Sequence, residues 1–312
     1  MIVFTFIDRT NAEPLSAALD LDHFSRNDRS TIIFIGDPQR TGFGERVLLR
    51  EQNDKQRQAV INAIAGEEPA FLLILGDLVS SGGNKSAWEN FDTVTTPVRQ
   101  RGIPMVAILG NHEYMGGREN GLKHFLSRFR FPEERTWMSI RCKGLAFILL
   151  NSNFTKMTPA EIDSQGTWYT QMLGEFQKDS TISMIIVACH NPPFTNSTIV
   201  SESKDVQTRF VPSFINTPKA KLFISGHCHS YERFNEKGKM FVVSGGAGGP
   251  RQKVIVNPKR QRHHDLYSGP AIRQFHYCKM LIEKDRLVVR MVKLDESSKQ
   301  WSIGDDFSIP IN

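Results

Sequence analysis

Five apolar runs, at residues 31–35, 71–75, 105–109, 185–188 and 222–224, each lead into a short polar motif, and together they limit what this chain can fold into. The motifs are Gly36-Asp37-Pro38-Gln39, Gly76-Asp77, Gly110-Asn111-His112-Glu113, His190 and Gly226-His227-Cys228-His229. Short runs rich in Ile, Leu, Val and Phe, most of them closed by Gly, read as buried strands. Their tips are expected to bring Asp37, Asp77, Asn111, His190, His227 and His229, with Gln39 as a further donor, to one edge of a sheet. No packing role calls for so many polar groups at successive strand ends. Carboxylate, amide and imidazole donors in this number suit two metal ions that share one carboxylate. Asp77 is the expected bridge, with Asp37 on one metal and the Asn111 carbonyl oxygen on the other.

The composition bounds the alternatives. With 39% apolar and 23% charged residues, the 312-residue chain has the balance of a folded globular protein. No window approaches the roughly 18 consecutive apolar residues of a membrane span. Residues 1–7 are apolar but too short for a secretory signal and lack its flanks, so a cytoplasmic location is expected, with a removed leader left open. Four cysteines, at 142, 189, 228 and 278, imply neither a disulfide framework nor a Cys-x-x-Cys metal site. Cys189 and Cys228 each adjoin a motif histidine, but neighbours on an extended backbone point to opposite faces, so both are expected to be buried fillers. The net charge is +6 and unevenly placed: residues 251–264 hold Arg251, Lys253, Lys259, Arg260, Arg262, His263 and His264 with no acid among them. That run reads as a solvated loop, or as one that steers an anionic substrate. No nucleic-acid-binding signature is visible.

Helical spacing covers 51–65, 88–101 (interrupted by Pro97), 117–129 and 167–177. Further strands are expected at 136–141 and 145–151, a hairpin over 275–294 and a last strand at 301–309. Alternating strands and helices predict an α/β sheet with helices on its faces. One domain over 31–312 is expected, with an N-terminal extension at 1–30 and a basic loop insertion at about 246–273. The glycine cluster at 245–249 reads as a flexible turn.

The ordered motifs resemble those of the calcineurin-like metallophosphoesterases, and most nearly the purple acid phosphatase-like branch. Asp37 matches the first Gly-Asp motif, Asp77 the second, and Asn111, His112 and Glu113 the Gly-Asn-His-Glu motif. Val187-Ala188-Cys189-His190 matches Val-x-x-His, and 226–229 matches Gly-His-x-His. Tyr231-Glu232-Arg233 is typical of the branch. The resemblance covers about residues 31–245. It implies a four-layer α/β/β/α sandwich of two mixed sheets flanked by helices. It also implies phosphomonoester hydrolysis by in-line attack of a hydroxide activated by two divalent ions (Mn, Fe or Zn). Phosphodiesters, such as nucleotides or phospholipid headgroups, are the alternative substrates, and a catalytically silent metal-dependent binding module is a distant third reading.

Carried over by position, the resemblance puts Asp37, Asp77 and His229 on one metal, and Asp77, Asn111, His190 and His227 on the other. His112 is then expected to protonate the departing oxygen or stabilise charge on the transferring group. Glu113 either orients that imidazole or is structural. Arg40, Tyr114 and Asn191, beside ligands, are candidate contacts to a phosphorylated small molecule. The sequence departs from the branch at two positions. Ser80 stands where the purple enzymes have a tyrosinate ligand, which removes the anionic donor favouring Fe(III). Gln39, in an Asp-Pro-Gln variant of the first motif, offers an amide oxygen to the first metal where many family members have His.

Overall fold

The computed structural model describes residues 19–20, 30–132 and 135–311. The expected extension at 1–30 therefore lies outside the described residues except at 19, 20 and 30. In chain order the strands are Leu19–Asp20 (β1), Thr31–Ile35 (β2), Leu72–Ile74 (β3), Met105–Ala107 (β4), Met138–Cys142 (β5), Leu145–Leu149 (β6), Met184–Cys189 (β7), Ala220–Ser225 (β8), Tyr231–Glu236 (β9), Lys239–Ser244 (β10), His276–Ile282 (β11), Arg286–Asp295 (β12) and Gln300–Pro310 (β13). The helices are Phe43–Val47 (α1), Asp54–Glu67 (α2), Lys85–Val94 (α3), Thr96–Gln100 (α4), Arg118–Leu126 (α5), Pro159–Lys178 (α6), Lys204–Arg209 (α7) and Val211–Asn216 (α8).

A six-stranded sheet has the order β13-β12-β11-β2-β3-β4, and a seven-stranded sheet the order β1-β5-β6-β7-β8-β10-β9. Both are mixed. β2, β3 and β4 run parallel while β11 joins β2 antiparallel. In the other sheet β6, β7, β8 and β10 run parallel between antiparallel β5 and β9.

Three apolar cores separate four layers. Ile32 and Phe34 of β2 meet Met184, Ile186 and Ala188 of β7 in the core between the sheets. Their strand neighbours Ile33 and Ile35 pack instead with Val60, Trp88, Val98 and Phe125 of α2, α3, α4 and α5. On the far side, Ile185 and Val187 pack with Met172, Val206 and Phe214 of α6, α7 and α8. Side chains alternate faces along a strand, so each central strand serves two cores at once. This is why these strands read as unbroken apolar runs rather than as alternating ones. The result is the expected α/β/β/α sandwich.

Two helices depart from their expected bounds for local reasons. α6 starts at Pro159 rather than 167, because the Thr158 hydroxyl accepts from the Glu161 N–H while the Glu161 carboxylate accepts from the Thr158 N–H. The stretch 88–101 breaks into α3 and α4 at Thr95, and Pro97 falls in the first turn of α4, where its missing N–H costs nothing. The C-terminal hairpin forms, and its first strand, β11, pairs with β2 in the middle of the six-stranded sheet.

The basic segment is only partly solvated. Arg251 pairs with Glu51 and Glu296, His263 with Glu202, and Arg262 donates to the backbone oxygens of Thr195 and Ser197. Lys253, Lys259, Arg260 and His264 remain exposed. Among the described residues no helix is long and apolar enough to cross a membrane.

Phe147 of β6 stands edge-on to Phe71, which precedes β3, with ring centroids 5.4 Å apart, and so ties the two sheets together. Phe147→Ala is expected to cost about 3–5 kcal/mol, as for a large side chain removed from a packed core. Urea unfolding measures this; a loss below about 1 kcal/mol would mean that the inter-sheet core closes over the gap.

Candidate metal centre

Asp37, Asp77 and Asn111 follow β2, β3 and β4 of the six-stranded sheet. His190 follows β7, and His227 and His229 follow β8, in the seven-stranded sheet. The donors therefore come from two sheets, not from the single sheet edge that strand order alone suggested. All leave the carboxyl ends of parallel strands, where open α/β sheets gather their ligands. The sheets approach backbone to backbone here: a Cβ on Gly36 would lie 2.3 Å from the Ser244 carbonyl oxygen across the joint. Asp37, Asp77 and His227 adopt left-handed φ values of 59°, 54° and 67°. For residues with a side chain that conformation costs on the order of 1–3 kcal/mol each and persists only where the surroundings over-determine it.

Those surroundings are hydrogen bonds that also aim the ligand atoms. His190 Nδ1 donates to the Leu75 carbonyl at 2.7 Å, and His229 Nδ1 to the Pro250 carbonyl at 2.8 Å. Both imidazoles thus turn Nε2 inward. His190 Nε2 lies 3.3 Å from Asp77 Oδ2, 3.1 Å from Asn111 Oδ1 and 3.2 Å from His227 Nδ1. His229 Nε2 lies 3.4 Å from Asp37 Oδ1, a buried oxygen with no hydrogen-bond partner among the described residues. Two groups of ligand atoms result, Asp77-His190-His227 and Asp37-Asp77-His229, each within 4.8 Å of one another and sharing Asp77. Converging acceptors around an orphaned carboxylate oxygen fit a cation, so the donor set suits a metal.

The electrostatics agree. Burial alone would raise the Asp77 carboxyl, but His190 and His112 outweigh it and hold the group well below the usual carboxylate range. Burial works against a charged His190, yet Asp77 pushes it up to about 10. Burial and the neighbouring His190 push His227 down to about 3. Burial raises the Asp37 carboxyl in spite of His229, so Asp77 is the carboxylate that the cluster holds most firmly charged.

Gln39 is fully buried in the same group. Its amide satisfies every neighbour with Oε1 toward His229 Nε2 at 3.1 Å and its NH2 donating to the backbone oxygens of Asp37 and Asp77. Asp37, Asp77, His190 and His229 are likewise buried, whereas Asn111, His112 and His227 are half-buried and face the opening.

His112 lies at that opening on the single helical turn His112–Tyr114. Its N–H donates to Asp77 Oδ1 at 2.9 Å and its Nδ1 to the Ser80 carbonyl at 2.9 Å, which leaves Nε2 on the cluster side, 3.8 Å from Asp77 Oδ2. Burial works against protonation of the ring, but the Asp77 charge and the Ser80 carbonyl raise its pKa. Glu113 does not bind this imidazole. Its carboxylate accepts the backbone N–H groups of Asp77, Leu78 and Gly110 at 2.9, 2.8 and 2.6 Å. It is a positioning residue for the two loops that carry Asp77 and Asn111, and burial with the Asp77 charge pushes it up to about 7.

The flanking candidates separate. Arg40 is exposed and pairs with Asp54 at 2.8 Å. Asn191 is half-buried beside the opening, and its Oδ1 accepts from the Ser152 hydroxyl at 2.8 Å. Tyr114 turns into the core, with Asn151 Nδ2 donating to its hydroxyl at 2.8 Å, and does not line the opening. The 245–249 cluster is buried rather than flexible: a Cβ on Gly249 would press into the His229 ring at 2.5 Å. Cys189 and Cys228 are buried free thiols, as expected. The carbonyls of Leu75, Ser80 and Pro250, which aim three imidazoles, carry no side-chain signature that sequence reading could find.

The profile of the calcineurin-like phosphoesterase family matches residues 30–231, from the start of β2 through the last histidine motif. The probable inactive purple acid phosphatase 9 of Arabidopsis thaliana is 21% identical over 279 residues, covering 74% of this chain and 42% of that protein. Purple acid phosphatase 1 of Ipomoea batatas is 27% identical over 220 residues, covering 64% of this chain and 42% of that protein. The chain thus spans less than half the length of these curated relatives. In fold it is similar to a purple acid phosphatase from yellow lupin (Lupinus luteus) seeds, with a TM-score of 0.65 at 17% identity, covering 90% of this chain and 53% of that one.

Glu113→Gln is expected to put an amide NH2 against backbone N–H donors that now share two carboxylate oxygens. Stability should fall by about 1–3 kcal/mol, the cost of leaving such a buried group unsatisfied. Metal content should fall with it. Thermal unfolding and elemental analysis read both, and an unchanged metal content would remove Glu113 from its positioning role.

Proposed function

The chain belongs to the calcineurin-like phosphoesterase family, and on that premise we propose that it is a metal-dependent hydrolase of phosphomonoesters. The observation that carries this reading is the pair of ligand groups sharing Asp77, with His112 Nε2 beside the shared carboxylate. Asp37, Asp77, His229 and Gln39 would hold one divalent ion, and Asp77, Asn111, His190 and His227 a second. Bound there, two such ions supply Lewis acidity and an activated water at neutral pH. With Ser80 in place of a tyrosine ligand, every donor is neutral or a carboxylate, a set suited to Mn, Zn or Fe(II).

The chain's own residues account for the rest. Asp37 and Asp77 would oppose the charge of bound ions and so lower the cost of holding two of them in one site. Asn111, His112 and His227 face the opening and meet the phosphoryl group first, and Asn191 stands beside them. The Ser80 carbonyl holds the proton on His112 Nδ1, so the imidazolium presents its other proton at Nε2. There it can be given to the departing alkoxide, which is the task of a general acid. Three terminal oxygens on a monoester would match the positive charge that two bound ions and a protonated His112 would supply; a diester presents fewer. A silent binding role would be marked by gaps in the donor set, and this set has none.

Asp77→Asn is expected to lose both ions, since a neutral amide cannot balance two dications, whereas Asn111→Ala should lose mainly one. Elemental analysis finding full occupancy in Asp77→Asn would remove it from the bridge.

His112→Ala should retain metal and lose roughly 10²–10⁴-fold in kcat, the range for one positioned acid or base. The loss should shrink for nitrophenyl phosphate, whose leaving group needs little protonation. Equal losses for good and poor leaving groups would make His112 a charge stabiliser. A metal-loaded preparation that hydrolyses bis(nitrophenyl) phosphate faster than the monoester would overturn the monoester assignment.

A further inference from the structure

Beside the metal centre lies a second polar cavity, of about 190 Å³, whose walls include Arg40, Arg46, Arg57, Thr41, Ser80 and Asn84. None of its lining residues is an acid. Arg57, on the first turn of α2, is 2% exposed. Its Nη1 donates to Asn90 Oδ1 at 2.6 Å, but its Nε is buried without a partner, and it forms no ion pair among the described residues. A guanidinium out of water and unpaired is costly, and native chains keep one only where something answers its charge. The other two arginines are partly engaged, Arg40 with Asp54 and Arg46 with the Thr41 carbonyl. The Asp54 charge acts on Arg57 through space, without an ion pair between them, and burial outweighs it.

The cavity shares its walls with the metal site. Arg40 follows Gln39, and Ser80, on the Asp77 loop, gives its carbonyl to His112. The stem of Arg57 packs on Gly248, where a Cβ would lie 2.9 Å from Arg57 Cγ, and the next residue, Gly249, packs on His229. A planar guanidinium at the wall of a polar cavity suits a phosphoryl group better than a water, because guanidinium groups match the paired oxygens of phosphate.

We propose that this cavity is a phosphoryl-binding subsite anchored by Arg57, separate from the metal centre and adjoining it. Its occupant is either a second phosphate on the substrate or free inorganic phosphate. Only the first source rests on the hydrolase reading given above.

Calorimetric titration of the metal-loaded full chain with inorganic phosphate is expected to show two binding events. Arg57→Met should weaken one of them by roughly 10- to 100-fold, the worth of a charge-assisted contact, and leave metal content unchanged. Arg46→Ser, at a half-buried wall position, should weaken the same event and serves if Arg57→Met does not fold. A single event in the unaltered chain, or two events that neither variant changes, overturns the proposal. The source follows from the ratio of kcat/KM for a sugar bisphosphate over that for nitrophenyl phosphate. A fall in that ratio in the variants assigns the site to the substrate's second phosphate, and an unchanged ratio with the event lost assigns it to free phosphate. Absence of all turnover with both events intact would sink the hydrolase reading and leave the subsite standing.

Discussion

Two carboxylates buried in the joint between two sheets are the constraint from which the rest of this molecule follows. Asp37 and Asp77 are almost wholly out of water, and among the described residues Asp37 Oδ1 has no hydrogen-bond partner. Such groups are tolerable only when positive charge is brought to them. Imidazoles supply the frame: His190 and His229 come from the opposite sheet and face Asp77 and Asp37 across the joint. The sandwich therefore needs its two sheets in register at this one place. Gly36, closed against the Ser244 carbonyl, lets the backbones come near enough.

Precision at the site is mostly the work of the backbone. Carbonyls of Leu75, Ser80 and Pro250 each take one imidazole proton and so decide which nitrogen faces the cluster. Glu113 does the reverse, collecting three N–H groups from the loops after β3 and β4. Donor atoms held this way cannot relax toward one another, although three of the residues that carry them sit in left-handed backbone. That strain is what an over-determined site can store.

The long connection after β10 shows how a charged segment can be both surface and structure. Its first residues, 245–249, press against His229 and Arg57, and Pro250 aims His229. Farther on, Arg251, Arg262 and His263 tie it to Glu51, Glu296, the 195–197 backbone and Glu202, and a buried ion pair joins Arg273 to Asp265. The remaining basic residues are left to water. Charge counted along the sequence therefore overstates the charge that an approaching anion would feel.

The sequence by itself determined the apolar strand runs, the main helical stretches and the polar residues that stand at the strand tips; the short helices α1, α7 and α8 and the strands β9 and β10 left no such signal. Strand runs with one-residue alternation between two covered faces leave an apolar signature, and polar residues at their tips stand out against it. Capping chemistry at Thr158 and the Pro97 break were also legible in principle, because both are local. Only the tertiary structure decided what depends on contacts between distant segments: that the donors come from two sheets, and that β11 lies beside β2. It likewise decided that Glu113 holds backbone rather than His112, and that Tyr114 turns inward. It also left Arg57 buried without an ion pair among the described residues. Helical spacing puts Arg57 on the same face as Val60, Ile61 and Ile64, but only the packing of Gly248 against its stem and the walls of another loop decide what surrounds its guanidinium. Local free-energy preferences can be read along the chain, but burial is a property of what the rest of the chain brings to a point.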